Sequence, residues 1–237
     1  MTKKVEKTIE KKEIKKAKKD YSAIYDQMTP YNIEEAITIV KKLSKTKFDP
    51  SVEIHIRLGI NPKKGDQLVR GAVSLPHGTG KTVRVAAFVS PDSEAACKAA
   101  GAEFVGGDEL IAEIKKTGKT EFEVAVAEPL MMRSLSAIAK ILGTRGLMPS
   151  PKNDTVTPNP VKSIEELKKG KVSFKNDDTS NLHVVIGKLS FDDKKLLENY
   201  QAFIGAVNKV KPATAKGSYI KGISLCASMT PSVKVSI

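Results

Sequence analysis

Tryptophan is absent from this chain, histidine occurs three times and cysteine twice. Cys97 and Cys226 stand far apart, with no CxxC and no histidine close to either in sequence. That spacing excludes a zinc ribbon or knuckle. Sequence alone leaves a disulfide open; two small buried thiols in a reducing cytoplasm is the better reading. No stretch approaches the roughly 20 apolar residues of a spanning helix, so no membrane partner is expected. Residues 1–20 hold nine lysines without an apolar centre, unlike a secretory signal, and lack the arginine and serine of a transit peptide.

Catalytic signals are equally scarce. His55, His77 and His183 are scattered, and none has a ligand partner at metal spacing. No serine has a glycine-flanked nucleophile context, and no carboxylate pair stands out. Gly78-Thr79-Gly80-Lys81-Thr82 invites a nucleotide-binding reading, but position 75 is Leu75 where a P-loop needs glycine. A strand rather than a helix is expected after Thr82, so the anion-cradling amides are missing too. A flexible interdomain turn fits better. No catalytic residue, metal or cofactor is expected.

What the chain has is positive charge. Its 40 basic and 27 acidic residues give a formal net charge of +13, which calls for a polyanionic partner. The excess is unevenly placed. Residues 78–170 carry 13 Lys/Arg and 12 Asp/Glu, leaving 27 basic and 15 acidic residues, a net +12, in the two flanks. Residues 1–20 supply +5 of that and read as a solvated, lysine-rich extension, a second reading being a nonspecific phosphate-binding arm.

Apolar residues make up 40% of the chain, enough for a core, and their pattern changes style twice. Asn32 and Glu35 form a capping-box pattern, and Ile33, Ala36, Ile37, Val40 and Leu43 then share one helical face. From Ser51 to Ile60 the alternation is complete, which predicts a half-buried strand with Ser51, Glu53, His55 and Arg57 on its wet face. Thr82–Val89 is nearly continuous and apolar, as in a strand covered on both faces. Helices are expected from Pro91 to Gly101, from Asp108 to Lys116 with a close near Gly118, from Pro129 to a stop at Gly143, and from a Ser163/Glu166 cap to Gly170. Strands at Phe104-Val105 and Phe122–Ala127 alternate with them, giving a parallel α/β unit. After Gly170 the first style returns. Lys171–Lys175, Leu182–Leu189 and Tyr219–Leu225 read as strands, and Val233, Val235 and Ile237 alternate again. Asp192–Val210 reads as an amphipathic helix with Leu196, Tyr200, Phe203, Ile204 and Val207 inside. The fold class is therefore mixed: an antiparallel α+β domain (21–77 with 171–237) split by an inserted parallel α/β, Rossmann-like domain (78–170), joined near Gly78 and Gly170.

The wet strand carries the residue types an RNA site uses: an aromatic platform, hydroxyls and a carboxylate. A merely solvated sheet face reads equally well, and the basic loop Arg145–Lys152 reads as a surface loop.

Several strings are recognisable together. They are Lys47-Phe48-Asp49, Val52-Glu53-Ile54-His55, Leu58-Gly59-Ile60-Asn61-Pro62-Lys63-Lys64, Val69-Arg70-Gly71, Leu75-Pro76-His77-Gly78-Thr79-Gly80-Lys81, Gly143-Thr144-Arg145-Gly146-Leu147-Met148-Pro149 and Ser228-Met229-Thr230-Pro231. In this order the chain, from about residue 21 to 237, resembles the bacterial large-subunit ribosomal protein L1 family. The resemblance implies a cytoplasmic, ribosome-bound protein, monomeric when free, in which the split domain grips large-subunit rRNA. It implies a mobile stalk that assists release of deacylated exit-site tRNA, and translational repression through the protein's own operon mRNA. Lys47, Phe48, Ser51, Glu53, His55, Asp177, Thr179, Ser228 and Met229 are the RNA contacts it implies, with Thr230 at the same turn. Three departures accompany it. Thr230 replaces a glycine whose backbone approaches RNA, adding a Cβ that penalises positive φ. Asp178 stands where many relatives carry lysine, and Thr144 where proline is usual. The rivals are a nucleotide-dependent enzyme built on the inserted domain and an RNA-binding paralogue that has left the ribosome.

If the basic flanks hold the site, RNA affinity falls by orders of magnitude from low to moderate salt, as expected when about 5–8 phosphates are neutralised. Titrations at several salt concentrations measure the slope, and deleting residues 1–20 makes it shallower without abolishing specificity. A flat response would place the basic excess away from the interface.

Overall fold

The structure is a computed structural model that describes residues 21, 24–215 and 217–237. The lysine-rich extension lies outside the described residues.

Helix α1 (Ile33–Leu43) begins as expected. The Asn32 side chain accepts from the Ile33 amide at 2.7 Å and Glu35 reaches back to the Asn32 amide, completing the capping box. Strand β1 (Ser51–Leu58) follows, its even-numbered apolar residues buried and its odd-numbered polar ones facing out. The short β2 (Arg70–Ser74) leads to the first crossing. Beyond the second crossing come β6 (Lys171–Lys175), β7 (Asn181–Lys188), the long α7 (Asp193–Lys209), β8 (Ile220–Ala227) and β9 (Val233–Val235). These flanks form one antiparallel sheet in the order β7-β1-β8-β9, and β2 pairs with β6 in a two-stranded ribbon. Tyr31 adds to the edge beside β9, so both ends of the described chain meet there. One core serves the whole: α1 and α7 lie together on the sheet's apolar face, and Phe174 of β6 meets Phe203 of α7 edge-on at 5.5 Å.

The stretch between the crossings folds differently. Strands β3 (Val85–Phe88), β4 (Phe104–Gly106) and β5 (Val124–Ala127) form a parallel sheet in the order β4-β3-β5. All four residues of β3 are buried because both its faces are covered. Ala86 and Phe88 enter a cluster with α3 (Asp108–Thr117), α4 (Met132–Leu135) and α5 (Ala139–Thr144). Val85 and Ala87 enter another with α2 (Pro91–Ala99) and α6 (Pro160–Lys168). A parallel sheet between two helical layers needs such an unbroken apolar run.

Four sequence expectations are corrected. The helix expected from Pro129 to Gly143 is a series of short α and 3-10 turns; the Ser136 hydroxyl bonds back to the Arg133 carbonyl at 2.7 Å, competing with the helical ladder. Its stop is Gly146, not Gly143. Gly146 adopts φ +71°, and the Leu147 and Gly146 amides reach the Leu142 and Gly143 carbonyls, a Schellman motif. Ser163 is not a cap but a buried residue inside α6, bonded to the Thr157 hydroxyl; Pro160 at the first position sets the start. Ile237 is 77% exposed rather than part of the alternating strand.

The crossings lie side by side. Gly78 (φ +63°) and Gly170 (φ +106°) are so close that a Cβ on Gly170 would stand 2.3 Å from the Gly78 Cα. Two chain segments meet there with no room for a side chain. Asn199, fully buried on α7, holds the first crossing. Its amide nitrogen donates to the Gly78 and Ile186 carbonyls at 2.9 and 2.8 Å, and its oxygen accepts from the His77 amide at 3.1 Å. Asn199→Leu keeps the volume but orphans three backbone groups, and costs about 2–4 kcal/mol in urea unfolding. A loss below about 1 kcal/mol would show that water or a shifted backbone replaces these bonds.

Candidate nucleic-acid interface

The outward face of the four-stranded sheet carries Ser51, Glu53 and His55, and the loops at the ends of β1 carry the other residues singled out from sequence. Along β1, Ser51, Glu53, His55 and Arg57 follow one another at every second position, spanning roughly 20 Å. At the Ser51 end, the Ser228 amide donates to the Ser51 carbonyl at 3.0 Å, bringing the β8–β9 turn alongside. Lys47 and Phe48 enter from the preceding loop. Phe48 is 57% exposed and Met229 84%, so neither belongs to the core. At the far end of β1, Leu58 pairs with Ser180, which places the Asp177–Asn181 turn there. The ten positions come from three distant segments and lie at the two ends and along the middle of one strip.

Local chemistry fixes the ends. The Asp177 carboxylate accepts from the Thr179 amide and hydroxyl and from the Asn181 amide at 2.6–2.9 Å. The Thr179 hydroxyl bond chiefly, helped by these amides, holds its acid down at about 2. Thr179 is thus occupied in shaping its own turn, and its hydroxyl also accepts from Asn181 at 2.7 Å. Asp178 is exposed beside it. At the other end, Ala227–Thr230 is a tight turn closed by the Thr230 amide to the Ala227 carbonyl at 2.9 Å.

That turn revises the expectation for Thr230. The left-handed residue is Met229, at φ +69°, and Thr230 is not among the positive-φ residues. The threonine Cβ therefore meets no φ penalty. Its hydroxyl accepts from the Ala227 amide and donates to the Ala227 carbonyl, both at 2.9 Å, locking the turn. Strain sits instead on an exposed apolar side chain at the tip, a conformation that costs on the order of 1–2 kcal/mol and recurs at ligand-facing sites.

The middle of the strip is a chain of contacts across three strands. Cys226 Sγ lies 3.0 Å from His55 Nε2, His55 Nδ1 lies 2.7 Å from His183 Nδ1, and His183 Nε2 lies 3.6 Å from Asp177. Burial, with His183 beside it, holds the His55 imidazole below its usual range. Burial also pushes the Cys226 thiol up to about 11, with the Glu53 carboxylate adding to the effect. Cys226 is half-buried here, whereas Cys97 is fully buried. Sequence reasoning missed this chain, and the statement that no histidine has a ligand partner is corrected by it: the partners lie on neighbouring strands. Lys188 was missed as well; its ammonium reaches the Ser51 hydroxyl at 3.1 Å. Beyond the histidines a groove of about 830 Å³ opens, lined by Arg57, Ser224, Lys221 and Lys234.

The remaining motifs lie elsewhere. Gly78 and Gly80 both take positive φ, and the chain after Lys81 runs into β3 rather than a helix. Lys81 pairs with Glu123 at 2.8 Å and His77 with Glu198 at 2.6 Å. Arg145 binds the Gly118 carbonyl and the Thr120 hydroxyl. Among the described residues no helix is long and apolar enough to cross a membrane.

The sequence has counterparts among known proteins. The family described as the Ribosomal protein L1p/L10e family matches residues 40–231. The "Large ribosomal subunit protein uL1" of Corynebacterium glutamicum (strain R) is 51% identical over 205 residues, covering 86% of each chain. The proteins of that name from Kosmotoga olearia and Solidesulfovibrio magneticus are 49% and 50% identical over 212 and 210 residues. They cover 90% and 89% of this chain and 91% and 89% of their own. The chain belongs to the ribosomal protein L1p/L10e family, a family of structural ribosomal proteins rather than enzymes.

The turn geometry gives opposite expectations for two glycine substitutions. Thr230→Gly loses both hydroxyl bonds and lowers stability by about 1–2 kcal/mol. Met229→Gly relieves the left-handed strain and stays within about 0.5 kcal/mol of the wild type. Urea unfolding of both variants measures the difference; equal losses would contradict the assignment of strain to Met229.

Proposed function

We propose that this chain is a component of the large ribosomal subunit whose α+β unit, residues 21–77 with 171–237, grips a helical segment of large-subunit rRNA. The observation that carries the reading is the strip itself. Ser51, Glu53 and His55 line the solvent-facing side of β1, and the turns that carry Phe48, Asp177, Thr179, Ser228 and Met229 adjoin its two ends. Exposed Phe48 and Met229 offer apolar platforms for bases at one end, and the strand hydroxyls and carboxylate suit 2′-OH and amino groups. The flanks carry +12 of the net charge, which supplies attraction to phosphate. Residues 78–170, which the chain enters near Gly78 and leaves near Gly170, are then the mobile part of a stalk beside the exit-site tRNA. Binding of a similar fold in its own operon mRNA, with repression of translation, uses the same strip.

Two measurements test this. Phe48→Ala weakens binding to a labelled rRNA helix by about 1–3 kcal/mol while leaving the melting temperature nearly unchanged, since the ring is mostly exposed. Lost stability with unaltered affinity of the folded fraction would make Phe48 a packing residue. Second, residues 1–77 joined to 171–237 by a short Gly/Ser linker fold and bind the same helix specifically; the contact between Gly78 and Gly170 makes the join geometrically easy. Tight binding by 78–170 alone would overturn the division.

A further inference from the structure

In the middle of the strip two of the proposed RNA contacts, Glu53 and His55, stand beside Cys226, a thiol that RNA recognition does not call for. Glu53 and Cys226 are directly opposite one another in the β1–β8 ladder, and His55 is the next residue of β1 on the same face. The three offer a carboxylate oxygen, an imidazole nitrogen and a sulfur that all lie within 4.8 Å of one another. Bonds of about 2.0–2.3 Å to one zinc ion set its ligand atoms roughly 3–4 Å apart, so small side-chain rotations close the set around a single centre. All three residues are half-buried, neither sealed from solvent nor fully open to it.

The imidazole is already oriented for the task. Its Nδ1 is engaged by His183 Nδ1 at 2.7 Å, and His183 is followed by Asp177 at 3.6 Å. With the Nδ1 proton held there, the Nε2 lone pair faces Cys226 Sγ at 3.0 Å. An outer acceptor that fixes the ring and leaves the other nitrogen free is the usual second layer of a histidine–metal bond. Charge argues the same way: an ionised Cys226 beside the Glu53 carboxylate puts two negative charges together, and a divalent cation between them balances both. Thiolate with imidazole disfavours magnesium and calcium and suits zinc.

We infer that Glu53, His55 and Cys226 form a three-ligand site for Zn²⁺ on the exposed sheet face, with His183 as a positioning residue and the fourth coordination position open. On binding, the Cys226 S–H bond breaks, its proton passes to solvent and an S–Zn bond forms. Such a site adds a metal-dependent state to the face proposed for RNA. It does not depend on that reading, because free protein binds the ion.

The test uses the full chain without RNA. Titrated with Co²⁺ as a spectroscopic substitute, it takes up one equivalent and shows a thiolate-to-cobalt charge-transfer band in the near ultraviolet, which Zn²⁺ then abolishes. Cys226→Ser loses the band and Cys97→Ser keeps it. Should Cys226→Ser fail to fold, Glu53→Gln decides: it retains the thiolate and weakens Zn²⁺ binding about 10-fold or more against a competing chromophoric chelator. No band in the wild type, a band surviving in Cys226→Ser, or unchanged affinity in Glu53→Gln would overturn the inference.

Discussion

Strand β1 is paired on both edges by strands that lie more than 120 residues further along the chain, β7 on one side and β8 on the other. The rest of the structure depends on that double pairing. It buries Val52, Ile54, Ile56 and Leu58 beneath α1 and α7, so the N-terminal segment has no core of its own without the C-terminal one. It also obliges the chain to leave this sheet and return, and the exit and the return pass each other at Gly78 and Gly170. Whatever lies between must fold on its own terms, and the parallel sheet with helices on both faces does so with separate clusters.

The same pairing makes the face proposed to bind RNA. Because side chains alternate along a strand, burying the even-numbered residues of β1 turns Ser51, Glu53, His55 and Arg57 outward together. The registers then bring His183 and Ser224 beside His55, and Cys226 beside Glu53. A one-residue slip of either neighbour would scatter the strip. The turns at its ends are braced independently, by the Asp177 carboxylate at one and the Thr230 hydroxyl at the other. The face proposed to bind RNA is therefore braced by the chain's own bonds.

Much of this was legible in sequence where the signal is local. The capping box at Asn32, the alternation of β1 and the doubly buried run of β3 each report neighbours within one element, and all three elements formed. The change of style between the flanks and the middle foretold the antiparallel and parallel sheets. What sequence did not show depends on contacts across elements or on backbone detail. No spacing within one segment could bring Cys226 to His55. The left-handed backbone fell on Met229 although glycine preference pointed to Thr230, because the Thr230 hydroxyl closes the turn from the next position. Pro129–Gly143 has helical composition, but Ser136 diverts a carbonyl and the stop comes later at Gly146. Asn199 gave no sign, since a buried polar residue on an apolar helix face is explained only by the crossing it holds.

The central claim is that the outward face of the β7-β1-β8-β9 sheet meets RNA. Ultraviolet cross-linking of the full chain to its own large-subunit rRNA, with the modified residues mapped by mass spectrometry, addresses it most directly. The account predicts adducts in 47–57, 177–183 and 224–230, with Phe48 and Met229 foremost. Adducts confined to 78–170, with the sheet face unmodified, would contradict it.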